Sequence, residues 1–475
     1  MTPSQPSVQA SLSPARTVPR DGRLLALFCV LGAALQIYAF HWGVITPDSV
    51  VQYGQALTGV YDDWHPPITA WVWRQLLRLG SGGAPFLIMD VALYWSALGL
   101  VAHGLLRRHG RLAALTMLGL AFLPIAFGQV GAILKDPFMA CVLLAATALL
   151  VRREWGGLGW LGLPATLLIL LAGATRFNAL FAALPLMLLA APRHWILRPV
   201  TCVATATAAA ALLVGANWTL NEAMLRPGHS HPINSLVNFD LAGIVAHGGA
   251  NGWPGLADPE ARALVARCYT PRLYGMADEQ LCARAEETIA IHVAQRHESA
   301  IAVWLRAIAA SPVAWMRHRL DHLNWNWRFL VPSVPDDAVY MMSAPNELGL
   351  HFLANPLTKI VGGAARIMAW TPLGRPATWL AIAIGLLIVA PGLPSRRILL
   401  ALGGSALLYG LAYAVVSVAP DLRYNLWTLF AVMMGGAIAF AERAYIPGER
   451  WKLALLPAIV VMKLEVIALL VGAIG

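Results

Sequence analysis

Charged side chains are scarce in this sequence, and their scarcity excludes an assembly of soluble domains. Only 12% of the 475 residues are charged, whereas 58% are hydrophobic. Apolar runs close to the ~20 residues that a helix needs to cross a bilayer recur along the chain. The sequence therefore predicts an all-α, polytopic membrane protein.

Cysteine is also rare, and the signatures of two common chemistries are missing. Cys29, Cys141 and Cys202 lie in apolar runs, where packing is their expected role. Cys268 and Cys282 lie in the large polar segment of the chain, where a disulfide is chemically allowed if that segment is periplasmic. Their spacing alone leaves the question open. The sequence contains neither a P-loop nor a GxSxG nucleophile elbow, so P-loop nucleotide chemistry and serine hydrolysis are not indicated.

The net charge of +10 does not indicate a nucleic-acid partner, because the basic residues cluster in short breaks between apolar runs. Cytoplasmic loops of membrane proteins have this pattern. The alternation of basic and non-basic breaks predicts about eleven transmembrane helices that start on the cytoplasmic side. The spans are expected near residues 24–45, 85–105, 112–133, 138–150, 158–174, 179–191, 200–217, 377–390, 398–418, 426–441 and 453–473.

These spans divide the chain into four parts. We expect a disordered cytoplasmic tail (1–22), an N-terminal transmembrane catalytic module (23–218) with its first periplasmic loop at 46–84, a helical periplasmic segment (219–376) and C-terminal transmembrane helices (377–475). Ile68–Leu79 is too short to span and suits an interfacial helix on the outer leaflet. Glu279–Ala310 has amphipathic helical spacing, and alternation with period two is scarce, so the periplasmic part is expected to be a small helical domain.

The first periplasmic loop carries the strongest candidates for chemistry. Asp48 follows the first span and could act as a general base, or it could cap the helix that starts at Thr46-Pro47. The two prolines after His65 fix its backbone, so that its imidazole could contact substrate or phosphate. Tyr53 and Asp63 complete the candidate substrate contacts of this loop.

Metal binding is left open by the same loop. The adjacent carboxylates of Asp62 and Asp63 could hold a divalent cation, although solvated aspartates are the commoner case. His229 and His231 have the spacing of a ligand pair, but a further Cys/His set at suitable spacing does not follow them. No metal ligand and no cofactor is assigned, and a divalent cation stays possible.

Three basic residues interrupt the positive-inside pattern. Lys135, Arg176 and Arg423 each follow the outer end of a predicted span. If these ends meet, their charges could bind a lipid-linked phosphate, and Asp136 and Tyr424 beside them would contribute to the same site. The alternative is that Lys135–Asp136 and Asp421–Arg423 are local pairs that fix the loop ends.

Four short motifs carry a resemblance to a known group of enzymes. They are Asp63-Trp64-His65-Pro66-Pro67 after the first span, Lys135-Asp136-Pro137, Asp421-Leu422-Arg423-Tyr424, and Phe239-Asp240-Leu241-Ala242-Gly243 in the large loop. Together with the carboxylate outside the first span, they resemble the GT-C superfamily of membrane glycosyltransferases. Within it, the pattern is similar to the protein O-mannosyltransferase and aminoarabinose-transferase branch.

The resemblance implies a polyprenyl-phosphate-linked sugar as donor, with Asp48 as general base or acceptor-positioning carboxylate and His65 near the donor phosphate. Ser49 follows Asp48 where many relatives have Asp-Glu, which does not favour a two-carboxylate or metal-assisted mechanism. We therefore expect a glycosyltransferase of the bacterial inner membrane that acts at the periplasmic face, inverts the anomeric carbon, contacts membrane lipids, and uses a lipid, glycan or protein acceptor.

Two other classes of protein remain as alternatives. A transporter or flippase of lipid-linked sugars would share an apolar groove and outer cations, but it would tend to show internal repeats and broken helices in matching halves. A non-enzymatic assembly protein would bind a partner through its outer domain. Replacement of Asp48 should leave the activity of such an assembly protein intact.

Overall fold

The computed structural model of the protein describes residues 18–275, 279–296 and 298–474. Residues 1–17 of the predicted tail lie outside the described residues. Within the described ranges the chain forms twenty α-helices and no strand, apart from isolated bridges. The predicted all-helical class is confirmed.

The helices are numbered α1 to α20 in chain order. Their bounds are Val18–Phe40, Pro47–Thr58, Ile68–Leu76, Ala84–His109, Arg111–Leu120, Pro124–Gln129, Lys135–Gly156, Gly162–Ala174, Ala179–Ala190, Pro199–Trp218, Ile233–Ala246, Asp258–Cys268, Glu279–Arg296, Ala300–Ala310, Pro312–Trp327, Pro356–Ala369, Pro376–Val389, Arg396–Ala412, Leu426–Ala441 and Gly448–Ile474. A π-helical turn at Thr219–Ala223 continues α10.

Several helices are suited to crossing a membrane. Five of those described are long and apolar enough by themselves, namely Arg20–Phe40, Ala84–His109, Pro199–Ala223, Leu422–Ala441 and Gly448–Val471. Shorter apolar helices, among them α8, α9 and α17, pack between them. The chain is a multi-pass membrane protein. The count of about eleven spans and the side that each loop occupies stay predictions.

Two predicted elements differ from the structure at a proline or a cap. The expected third span (112–133) is divided into α5 and α6, because Leu123 has non-helical backbone angles (φ −54°, ψ 124°) before Pro124, and residues that precede proline disfavour the helical region. The expected amphipathic helix Glu279–Ala310 is also two helices, and Ser299 caps the second by accepting a hydrogen bond from the Ala302 amide.

The helices enclose two separate apolar cores. The larger core lies among the membrane helices, with α4 packed against α1, α5 and α7, and α18 packed against α9, α17 and α19. The smaller core joins α11 to α15. A disulfide between Cys268 and Cys282 closes the connection between α12 and α13 within this small helical unit, which answers the question that the cysteine spacing left open.

Polar residues gather at one end of the membrane bundle, which we call the distal end. Glu154 at the end of α7 pairs with Arg193 at 3.0 Å and with Arg397 at 2.7 Å. The fully buried Glu442 after α19 accepts hydrogen bonds from the amide and hydroxyl of Ser395. Loops that were predicted to share the cytoplasmic side therefore do share one end of the bundle.

The connections α1–α2, α6–α7, α8–α9 and α18–α19 meet at the opposite end, which we call the site end. Two of the helices that link the ends are short, since α8 has 13 residues and α9 has 12. At 1.5 Å per residue they are about 20 and 18 Å long, less than the ~30 Å of a bilayer's hydrocarbon core. Helix α10 packs against both of them.

Candidate active site

Asp48 lies in the first turn of α2 with its carboxylate available for other partners. Thr46 is the N-cap, because its hydroxyl accepts the Ser49 amide and the Ser49 hydroxyl accepts the Thr46 amide in a capping box. The capping role that the sequence allowed for Asp48 is therefore filled by Thr46. Asp48 keeps 26% of its side chain exposed.

Backbone pairing brings the first loop to the loop before α7. Val44 donates to the carbonyl of Gly131 at 2.9 Å and accepts from the amide of Ile133 at 3.0 Å. The buried Ser49 hydroxyl donates to the carbonyl of Ile133 at 2.5 Å. Lys135 follows two residues later at the start of α7, so these bonds place its ammonium beside the first turn of α2.

His65 lies between Asp48 and Lys135. Its ring is buried, its Nδ1 is hydrogen-bonded to the Nζ of Lys135, and its Nε2 is 3.7 Å from a carboxylate oxygen of Asp48. Pro66 and Pro67 follow directly, and α3 begins at Ile68. The two prolines thus lead straight into α3, which holds the backbone on this side of His65, while Lys135 and Asp48 contact its ring.

Arg423 is at the centre of the charged cluster. Its guanidinium contacts Asp48 at 3.0 Å, Asp421 at 2.9 Å and Asp136 at 3.7 Å. The contact with Asp421 is the local pair that the sequence offered as the alternative. The contacts with Asp48 and Asp136 join the loop between α18 and α19 to helices α2 and α7. Arg423 therefore connects three distant parts of the chain.

Arg176 forms the second layer of the cluster. It pairs with the buried Asp136, and its Nε donates to Asn178 at 3.2 Å. Its Cζ lies 4.3 Å from the centre of the Tyr424 ring, a cation–π contact. The hydroxyl of Tyr413 donates to the Tyr424 carbonyl at 2.8 Å and so holds the backbone that carries this ring.

The cluster combines three carboxylates with three basic side chains. Asp48, Asp136 and Asp421 face the guanidinium groups of Arg176 and Arg423. The ammonium of Lys135 makes its hydrogen bond to His65 instead. A ligand phosphate would therefore have to replace carboxylates as the partners of Arg176 and Arg423. To bind Lys135 it would have to replace only the neutral imidazole of His65.

The electrostatics favour an ionised Asp48 beside a neutral His65. Burial opposes ionisation of Asp48, but contact with His65 and the charges of Arg423 and Lys135 outweigh burial and hold the pKa of Asp48 well below its usual range. Burial and the charge of Lys135 lower the pKa of His65 despite the opposing influence of Asp48. At neutral pH the site therefore offers a carboxylate and a neutral imidazole.

Tyr53 and Asp63 make their polar contacts away from this cluster. Tyr53 is buried with its ring centre 5.1 Å from that of Trp73, and its hydroxyl accepts the Gly82 amide. Asp63 contacts His229 at 3.1 Å and the amide of Ser230. Among the described residues, groups of three or more His, Cys, Asp or Glu placed to hold a metal ion do not occur.

Asn221 is a site-end residue that sequence reasoning missed. This buried side chain accepts the Ile68 amide at 2.9 Å and donates to the Ala174 carbonyl at 2.8 Å. It thereby connects the turn after His65 to the end of α8, two residues before Arg176. Sequence reasoning has little basis for selecting it, because one asparagine near the end of an apolar run has no distinctive pattern.

Fold and site together define a multi-pass helical membrane protein with a buried charged cluster at one end of its bundle. Protein-family models and curated proteins show no match to the sequence. Among solved structures, the chain is similar to a crystal structure of the Archaeoglobus fulgidus oligosaccharyltransferase tethered with an acceptor peptide containing the NVT sequon via a disulfide bond. The sequence identity is 14% and the TM-score is 0.29. The similarity covers 94% of this chain but 55% of that chain, so this chain spans little more than half the length of the oligosaccharyltransferase.

Proposed function

We propose that the protein is a membrane glycosyltransferase that moves a sugar from a polyprenyl-phosphate donor to an acceptor hydroxyl. The observation that carries the proposal is the convergence of four distant connections on one charged cluster, with the ionised Asp48 at 3.0 Å from Arg423 and 3.7 Å from His65. The cations suit a reaction in which charge builds on a departing phosphate. A bound phosphate would also draw Arg423 and Lys135 away from Asp48, which would restore the basicity that this carboxylate needs to accept a proton.

In the proposed reaction Asp48 accepts the proton of the acceptor hydroxyl. The oxygen attacks the anomeric carbon, the bond from that carbon to the phosphate oxygen breaks, and polyprenyl phosphate leaves with the bonding electrons. Lys135, Arg176 and Arg423 stabilise the charge that builds on the departing phosphate. One displacement inverts the anomeric carbon. His65 holds the ammonium of Lys135 until the phosphate replaces the imidazole as its partner.

The proposed setting is the periplasmic face of a bacterial inner membrane. The arginine-rich distal end suits the cytoplasmic side, so the charged cluster would face the periplasm. A donor that is anchored in the membrane by its prenyl chain reaches such a cluster without a soluble nucleotide-binding domain. A lipid, a glycan or a protein at the same face would supply the acceptor hydroxyl.

The test is mass analysis of surface lipids and glycans from cells that lack the protein, complemented with wild type or with Asp48→Asn. We expect a sugar modification to be lost in its absence, restored by the wild type and reduced at least a hundredfold with Asp48→Asn, since a positioned base contributes roughly 10²–10⁴-fold. Full restoration by Asp48→Asn at equal protein level would contradict the proposal and favour a transporter or an assembly protein.

A further inference from the structure

The loop between α18 and α19, which carries Arg423, is held at two points by residues from the middle of the chain. The first point is Ser417. Its carbonyl accepts a hydrogen bond from Arg319 at 2.7 Å, and its hydroxyl is 2.9 Å from Nε2 of His322. All three residues are buried, and both partners of Ser417 belong to α15, so this half of the loop is fixed to the small helical unit.

The second point lies next to Arg423 itself. A carboxylate oxygen of Asp337 accepts the backbone amide of Leu422 at 3.0 Å. This amide opens the short 3₁₀ turn Leu422–Asn425, where backbone N–H groups have no partner within the turn. Asp337 therefore supplies the hydrogen bond that this end of the turn needs.

Asp337 is itself fixed from two directions. Its carboxylate pairs with the buried Arg328, and its backbone carbonyl accepts Nε2 of Gln129 at 2.8 Å. Gln129 is the last residue of α6 and is fully buried. The membrane bundle thus holds Asp337, and Asp337 holds the backbone one residue before Arg423.

We propose that Asp337 is a positioning residue for Arg423, which it holds where the guanidinium can meet the phosphate of the donor. This inference rests on the proposed function. A guanidinium shared by Asp48, Asp136 and Asp421 can settle on any of them if its backbone moves. The Asp337 bond removes that freedom, because it fixes the start of the turn from which the side chain extends.

The test compares Asp337→Ala with Asp336→Ala in the full-length protein in lipid nanodiscs. Asp336 is the matched control, since its side chain is 81% exposed and contacts Arg366. Loss of a charge-assisted hydrogen bond should speed amide hydrogen exchange across residues 413–425 about tenfold in Asp337→Ala. Binding of undecaprenyl phosphate, used as the probe, should weaken several-fold. Both quantities should stay at the wild-type level in Asp336→Ala.

Arg423→Ala is measured alongside to separate the two proposals. Wild-type exchange across 413–425 in Asp337→Ala would overturn the positioning role, whatever the probe does. So would wild-type probe affinity in Asp337→Ala if Arg423→Ala binds weakly. Wild-type probe affinity in Arg423→Ala would instead overturn the donor role of Arg423. If Asp337→Ala does not fold, Asp337→Glu keeps the charge but displaces the oxygen by one methylene, and exchange at the wild-type rate in that variant would overturn the proposal.

Discussion

Arg423 contacts three carboxylates in a pocket that leaves 10% of its side chain exposed. A guanidinium can satisfy several acceptors at once because its donors form a planar fork, whereas a lysine ammonium is a point charge on a flexible stem. The residue is therefore suited both to holding the cluster together and to accepting a phosphate as an additional or replacement partner.

Replacement of Arg423 by lysine should accordingly be costly although it keeps the charge. We expect Arg423→Lys to weaken binding of undecaprenyl phosphate at least tenfold, because the bidentate geometry is lost. Arg443→Lys is the control, since Arg443 is exposed at the distal end. Affinity for undecaprenyl phosphate is measured by titration in nanodiscs. An equal loss of affinity in both variants would indicate a general effect of replacing arginine by lysine and would contradict a role for this site.

His65 should set the acid limit of activity. The Lys135 ammonium can donate to Nδ1 of His65 only while that nitrogen is unprotonated. Because the pKa of His65 is lowered, the neutral ring should persist below the usual value of ~6.5. On the acid side, activity should therefore begin to fall only below about pH 6.5.

The measurement is the pH profile of turnover for the wild type and for His65→Gln, whose amide cannot protonate in this range. In His65→Gln, turnover should be lower than in the wild type at neutral pH, and it should no longer fall as the pH is lowered through this range. An unchanged acid limb would assign it to another group. Asp48 is not expected to be that group, because its pKa is held well below its usual range.

At the level of elements, the site is assembled by bonds that join helix ends. Ser49 connects the start of α2 to the segment before α7, and Asn221 connects the start of α3 to the end of α8. Each bond involves a buried polar side chain. The Ile68 amide and the Ala174 carbonyl, which Asn221 contacts, have no partner within their own helices. The loss of one such side chain should therefore displace two elements at once.

Asn221→Ala tests this arrangement. The change leaves the amide of Ile68 and the carbonyl of Ala174 without their partner, and each buried orphan costs about 1–3 kcal/mol. We expect a lower melting temperature and at least a tenfold loss of transfer. The control is Asn217→Ala one turn earlier, where a single longer bond of 3.3 Å reaches Gly173. Similar effects of the two changes would contradict a special role for Asn221.

The sequence was informative where a residue broke a strong pattern. Lys135, Arg176 and Arg423 stood out as cations at helix ends that should carry none, and Asp48 followed the first span directly. The structure places these four residues in one cluster. Asn221 and Asp337 could not be found in this way, because their importance depends on which distant amide each one faces. Pro124 is a sequence signal for the break between α5 and α6. The run around it is continuously apolar, however, and for that reason it was predicted as one span.

For the whole molecule, the alternation of loops between two polar ends agrees with a chain that crosses the membrane repeatedly. Glu154, Arg193, Arg397 and Glu442 mark the distal end, and the Arg423 cluster marks the site end. The chain passes alternately from one of these ends to the other.

Labelling of single introduced cysteines can establish which end faces outward. Asp336 and Glu449 are suitable positions, because their side chains are 81% and 86% exposed at opposite ends of the bundle. A membrane-impermeant maleimide should label Asp336→Cys in intact cells, and it should label Glu449→Cys only after permeabilisation. Labelling of both from outside, or the reverse order, would contradict the predicted orientation.

The shortness of α8 and α9 has a consequence for competition with water. If the distal end lies at one boundary of the hydrocarbon, helical runs of about 18 Å (α9) and about 25 Å (Gly159–Ala174) leave Arg176 short of the opposite boundary, which is ~30 Å away. A departing phosphate at that depth is reached by few solvent molecules. In the proposed reaction, this position below the membrane surface would limit hydrolysis of the donor sugar. Attack on the anomeric carbon would then depend on the acceptor hydroxyl entering the pocket.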